Sequence, residues 1–205
     1  MKLVVIDYGV GNLASIKNIL KRIGVDSVIS SSKNELLAAD KIILPGVGAF
    51  DTCARQLNES GLLPSLLKKV LKDKVPVLGV CVGMQIMLDG SEEGVLPGLG
   101  WIKGRVIKFN SNNLPAHYKI PHMGWSDVTV KRPSRLMENI VDPRFYFVHS
   151  YHAKVVNADD AILTANYGHP FIAGIEHENI VGVQFHPEKS HSFGMRLLQN
   201  FVSKY

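Results

Sequence analysis

The feature that most constrains this chain is a repeated pairing of a short, wholly apolar run with a stretch of helical periodicity. Leu3 to Ile6 contains no polar residue, the pattern of a parallel strand buried on both faces. Leu13, Ile16, Ile19, Leu20 and Ile23 then recur at helical spacing, and Gly24 ends that helix. Val28-Ile29 reads as a short strand, Asn34 to Ala39 as a short helix, and Ile42-Ile43-Leu44 as the next buried strand, which runs into Pro45-Gly46-Val47-Gly48. A helical stretch from about Leu62 to Leu71 precedes a further apolar strand, Val75 to Val80. Such βα units imply a parallel sheet with helices on both faces.

The second half has another rhythm. Gly104 to Phe109, Trp125 to Val130, Phe145 to Val148, Ala161 to Ala165 and Ile180 to Phe185 are short strand candidates with turns between them, which adds a mixed sheet region. Met195 to Val202 is a closing helix with Leu197, Leu198 and Phe201 on one face. With no linker, repeat or low-complexity tract, the expectation is a single domain over residues 1–205. A chain of 205 residues with 46% hydrophobic content buries enough surface to fold without a disulfide or a metal. The two cysteines, Cys53 and Cys81, have no metal-ligand spacing. The chain opens directly on a strand, so no signal peptide is expected, and a reducing cytoplasm follows. The longest apolar candidate, Val75 to Leu88, is broken by Pro76, Gly79, Gly83 and Gln85, so no membrane span is expected. The formal charge of +5 is scattered, and no nucleic-acid-binding module is visible. Basic patches facing a phosphorylated ligand or an acidic partner remain open.

Gly79-Val80-Cys81-Val82-Gly83 lies between a buried strand and the amphipathic Met84-Gln85-Ile86-Met87-Leu88. A nucleophile flanked two residues away by glycines is the pattern of a nucleophile elbow, because the strand must turn into the helix within one residue. Cys81 would project at a helix N-terminus, where the thiolate is favoured, and the Val82 N–H would point the same way toward an oxyanion. The plain structural reading is a small buried cysteine closing a core strand. Cys53, beside Asp51 and Arg55 on a helical stretch without a glycine frame, reads as structural.

Gln184-Phe185-His186-Pro187-Glu188 follows the strand candidate Ile180 to Val183. Residues two apart on a strand share a side, so His186 and Glu188 can meet, with the second imidazole nitrogen left for Cys81. Pro187 marks the strand's end. Cysteine, base and orienting acid are the minimum for thiolate chemistry. The plain alternative is a surface turn. His117, His122, His149, His152, His169, His177 and His191 read as strays, and His177-Glu178-Asn179 as a hairpin turn.

These motifs, with Pro45-Gly46-Val47-Gly48, resemble the class I (triad) glutamine amidotransferases, almost end to end. Asp7-Tyr8-Gly9-Val10-Gly11-Asn12, Pro121-His122-Met123-Gly124-Trp125 and Tyr146-Phe147-Val148-His149-Ser150-Tyr151 narrow the resemblance to the glutaminase subunits of imidazole glycerol phosphate synthases. It implies a three-layer, flavodoxin-like α/β fold, its central sheet mostly parallel with an added antiparallel region. It implies hydrolysis of glutamine by Cys81, His186 and Glu188, with Gly48 as a second oxyanion donor. Gln85, Glu93, Ser150 and Tyr151 would hold the substrate, the last two mostly by backbone. Asn12, Trp125 and Tyr146 would face a (β/α)8 cyclase, which receives the ammonia and makes imidazole glycerol phosphate and AICAR in histidine biosynthesis. No metal or organic cofactor is implied. Read without the resemblance, Gln85 is a helix-surface residue, Trp125 a core anchor and Tyr146 a strand filler. Leu96 to Ile102 with Gly104-Arg105-Val106 looks somewhat like a related branch that supplies ammonia for amidino-sugar synthesis of surface polysaccharide. Another elbow-cysteine hydrolase of flavodoxin-like fold, or a non-catalytic subunit, completes the alternatives.

Overall fold

The computed structural model describes residues 1–111, 114–115 and 118–205; His117 lies outside them. Five strands form the parallel half: β1 (Leu3–Ile6), β2 (Ser27–Ser30), β3 (Lys41–Leu44), β4 (Val77–Val80) and β11 (Ile180–Val183). Their order is β2-β1-β3-β4-β11, each neighbour parallel. All residues of β1, β3, β4 and β11 are buried, and apart from Lys41 at the start of β3 their sequences are apolar. The helices are α1 (Leu13–Arg22), α2 (Lys33–Leu37), α3 (Phe50–Glu59), α4 (Leu63–Leu67), α5 (Val82–Gln85) and α6 (His191–Lys204). α1 packs against α6, α2 against α4, and α3 against α5. α4 runs on into a π-helical turn, Lys68–Lys72.

Beyond β11 the sheet turns antiparallel through β10 (His169–His177), β9 (Ala161–Tyr167), β6 (His122–Val130) and β7 (Arg144–His149). β5 (Gly104–Lys108) and β8 (Tyr151–Val155) pair with each other, and β8 touches β10 at Ala153 and Ile172. The expected mixed region is therefore present, with two strands the sequence reading did not find, β8 and β10. The hairpin turn between β10 and β11 falls at Glu178, where φ is +52°.

Two local expectations need correction. The amphipathic stretch after Cys81 is not a helix to Leu88. It makes one helical turn, because the N–H groups of Leu99, Gly100 and Trp101 fold back onto the carbonyls of Ile86, Leu88 and Met87. The last strand stops at Val183 instead of Phe185, and Pro187–Lys189 forms a 3-10 turn. No helix among the described residues is long and apolar enough to cross a membrane.

Candidate active site

β4 ends beside β11, and Cys81 follows with φ +56° and ψ −115°, a conformation that side chains other than glycine rarely adopt. Its N–H donates to the Val183 carbonyl at 2.8 Å, which seats it between the two central strands. The strain is held by close backbone packing. A Cβ on Gly83 would lie 2.0 Å from the Leu44 carbonyl oxygen, and one on Gly46 would lie 2.3 Å from the Gly83 nitrogen. The glycines thus let the loop after β3 lie directly on the elbow. Because α5 is a single turn, its dipole gives Cys81 little help. Stabilisation of a thiolate falls instead to the imidazole beside it.

His186 donates its backbone N–H to the Tyr146 carbonyl on β7 at 2.9 Å. Its Nδ1 lies 2.8 Å from Glu188 Oε1, and its side chain also hydrogen-bonds Cys81. His186 and Glu188 do meet, but by the 3-10 turn around Pro187 and not by strand alternation. Burial works against a charged imidazole here. The hydrogen bonds and charges of Cys81 and Glu188 outweigh it and lift the His186 pKa to about 10. The Glu188 side chain is itself buried, and its Oε2 has no hydrogen-bond partner among the described residues.

A cavity of about 340 Å³ opens over this pair. Gly48, Cys81, Val82, Gln85, Glu93, Ser150, Tyr151 and His186 all line it, so the structure brings together every predicted chemical and substrate residue except Glu188, which stands behind His186. The N–H groups of Val82 and Gly48 donate to no described acceptor. Gln85 is buried, and its Nε2 is committed to the Tyr151 carbonyl (3.2 Å) and Gln184 Oε1 (2.9 Å), which leaves Oε1 available to a ligand. Glu93 Oε2 accepts the Phe50 N–H at 2.8 Å, fixing the carboxylate to the start of α3.

Trp125 and Tyr146 are paired across β6 and β7, outside the cavity. Trp125 is 36% exposed and stacks on His191 at 5.5 Å, with Met123 exposed nearby on the same strand. Asn12 precedes α1 without capping it by its side chain, and α1 packs against the Pro187–Lys189 turn.

Sequence reading missed Gln184, whose Nε2 lies 3.8 Å from the Cys81 sulfur, and Lys189 and His149, which line the cavity. It also missed an ordered chain of neutral groups behind the cavity. Ser126 Oγ, His122, His149 and the Tyr151 carbonyl are linked at 2.9, 3.0 and 2.8 Å. A carbonyl only accepts, so His149 Nδ1 carries a proton, and the rest of the chain must donate in the same direction. Burial holds these imidazoles neutral, lowering His122 to about 4 and His149 to about 3. His152, beside them on β8, is lowered by burial to about 4. Among the described residues, no group of three or more His, Cys, Asp or Glu is placed to hold a metal ion.

Fold and constellation define a class I glutamine amidotransferase, and the family model "Glutamine amidotransferase class-I" matches residues 4–205. A solved glutamine amidotransferase shares the fold with a TM-score of 0.73 at 20% identity, covering 97% of this chain and 96% of that one. The imidazole glycerol phosphate synthase subunit HisH of Bdellovibrio bacteriovorus is 50% identical over 200 residues, covering 96% of this chain and 97% of its own. The subunit named HisH 2 of Pseudomonas aeruginosa is 47% identical, covering 98% of each. The chain belongs to the class I glutamine amidotransferases and, within them, to the HisH family of imidazole glycerol phosphate synthase subunits.

Proposed function

We propose that the chain is the glutaminase subunit of an imidazole glycerol phosphate synthase in histidine biosynthesis, with Cys81 as nucleophile, His186 as acid and base, and Glu188 as the group that orients the imidazole. The observation that carries this is the buried Cys81–His186–Glu188 constellation at a strained elbow, opening into a cavity of about 340 Å³.

Glutamine sits with its side-chain amide over Cys81. Gln85, Glu93 and the backbone at Ser150 and Tyr151 hold its amino-acid end. The thiolate attacks the carboxamide carbon, and the oxyanion forms against the N–H groups of Val82 and Gly48, each donor being worth ~3–4 kcal/mol of barrier. His186 gives its proton to the departing nitrogen as the C–N bond breaks. A water, deprotonated by His186, then attacks the glutamyl thioester, and the C–S bond breaks to release glutamate and restore the thiol.

Ammonia released into bulk water would be protonated and lost as a nucleophile. A (β/α)8 cyclase docked over Asn12, Trp125 and Tyr146 receives it directly, in the cytoplasm. Leu96 to Ile102, the stretch resembling the amidino-sugar branch, packs on the carbonyls of Ile86, Met87 and Leu88, outside the residues that line the cavity.

Glutamate release is measured with and without the cyclase. Cys81→Ser abolishes release with the fold intact, because a hydroxyl is far harder to ionise than a thiol. Retained turnover in that variant removes Cys81 as nucleophile. Conversion of the cyclase's substrate in the reconstituted pair, with glutamine as sole nitrogen source, fixes the acceptor.

A further inference from the structure

The proposed mechanism uses the Gly48 N–H but leaves open what aims it. A trans peptide is planar, so the Val47 carbonyl and the Gly48 N–H belong to one plate and point in opposite directions. Whatever holds the carbonyl sets the direction of the donor.

Cys53 does this from beneath the loop, and Tyr8 anchors the same loop two residues earlier. Tyr8, just after β1, donates its hydroxyl to the Pro45 carbonyl at 2.5 Å. Cys53, one turn into α3, donates its thiol to the Val47 carbonyl at 3.4 Å. Tyr8 is 3% exposed and Cys53 is fully buried, so the Val47 carbonyl is drawn toward the interior. Planarity then turns the Gly48 N–H away from the interior, and Val47 and Gly48 both line the cavity. Gly48 has φ +87°, and a Cβ there would meet nothing within 4 Å, so no side-chain packing fixes the plate.

The Cys53 sulfur also meets the Tyr8 side chain, so the two groups brace the loop as one unit. Burial pushes Cys53 up to about 11, so the donor stays protonated across the working range.

We propose that Cys53 and Tyr8 are positioning residues for the amidotransferase reaction, which hold the Val47–Gly48 peptide with its N–H directed at the oxyanion position. This rests on the reading of Cys81 and Gly48 given above. Cys53 itself touches no substrate.

The test compares two reactions of Cys81 in the complex with its cyclase. Glutamine hydrolysis passes through an oxyanion, whereas alkylation by iodoacetamide is a displacement at carbon that forms none. Cys53→Ala is expected to lower kcat for glutamate release roughly tenfold, a fraction of the 10²–10³ for losing a donor outright. KM for glutamine and the alkylation rate of Cys81 should stay within about twofold of wild type. Cys53→Ser, which keeps a donor, should recover most of the rate. Tyr8→Phe should lower kcat in the same direction, and less than additively with Cys53→Ala. An unchanged kcat in Cys53→Ala overturns the proposal. So does a parallel fall in kcat and alkylation rate, which marks a general loosening of the site. Peptide mapping of wild type after alkylation tests the underlying reading separately: inactivation without label on Cys81 refutes the nucleophile, whatever Cys53 does.

Discussion

Among the described residues, Glu188 has one oxygen on His186 and no hydrogen-bond partner for the other, so the buried acid and the imidazole depend on each other. That dependence runs both ways and makes the acid more than a spacer. Glu188→Gln preserves shape, but an amide can present either its oxygen or its nitrogen to Nδ1, and it cannot stabilise imidazolium. Turnover should fall by between ~10² and ~10⁴, still less than in His186→Ala, in which the proton carrier itself is gone. A variant with wild-type turnover and pH–rate profile would show Glu188 to be a bystander. The three residues were legible in the sequence because each sits in a short motif whose meaning is local: glycines around Cys81, proline between His186 and Glu188. Gln184 and His149 were not. Gln184 lay inside a quoted motif, yet its approach to the Cys81 sulfur depends on β4 and β11 being neighbours. His149 looks like any other histidine until β7 is paired with β6.

The elbow works as an element because two loops interlock through glycine. A methyl on Gly83 meets the Leu44 carbonyl oxygen, a backbone atom that cannot rotate aside, at 2.0 Å. Gly83→Ala should therefore cost about 3 kcal/mol or more, at or above the upper end of ordinary overpacking, and should displace the Pro45–Gly48 loop. Chemical denaturation gives the stability change, and a near-wild-type midpoint would mean the contact relaxes easily. The parallel half of the sheet was readable for the same kind of reason: β1, β3 and β4 are buried on both faces and are apolar apart from Lys41, whose ammonium donates to the Phe201 carbonyl. β8 and β10 were not readable. β8 places His152 and Lys154 in a five-residue strand. β10 carries Pro170 and Gly174, and its register shifts around Ile172 and Gly174. One histidine of each, His152 and His169, packs into an aromatic cluster around Phe109, whose ring lies 4.7 Å from that of His152 and 5.5 Å from that of His169. Polar residues buried among rings look like loop residues when read one strand at a time.

At the scale of the molecule, the buried imidazoles give stability a pH window bounded on both sides. His122, His149 and His152 have folded-state values of about 4, 3 and 4, below the unfolded 6.5. Their contribution is complete above about pH 6.5 and is lost as pH falls toward 4, at up to ~1.4 kcal/mol per pH unit for each proton taken up on unfolding. His186 has the opposite sign. Its value of about 10 means its contribution is complete below pH 6.5 and is lost as pH rises through 10. Thermal unfolding from pH 4 to 10 should show a maximum near neutrality, with the alkaline limb flattened in Glu188→Gln. A stability that keeps rising below pH 6 would contradict neutral buried histidines. The same connectivity argues for communication with the partner. Tyr146 lies opposite Trp125, its carbonyl accepts the His186 N–H at 2.9 Å, and its own N–H donates to Ser190 Oγ at 3.0 Å, just after the Glu188 turn. If the cyclase docks as proposed, pressure on Trp125 loads the β6–β7 pair to which the His186 backbone is hydrogen-bonded, and α1, which starts after Asn12, packs on the Pro187–Lys189 turn. Docking can then shift the population of site conformations toward the productive one. The isolated chain should hydrolyse glutamine slowly and accelerate on binding. Trp125→Ala removes a large aromatic from the proposed docking face, so partner affinity should fall by roughly 2 kcal/mol or more, about thirtyfold in Kd. Glutamate release at saturating partner should also fall, because the lost contact reaches His186 through Tyr146. Titration of the cyclase against wild type and variant, followed by turnover at saturation, separates the two effects. Unchanged affinity would place the interface elsewhere, and full activity of the isolated wild-type chain would remove the need for coupling.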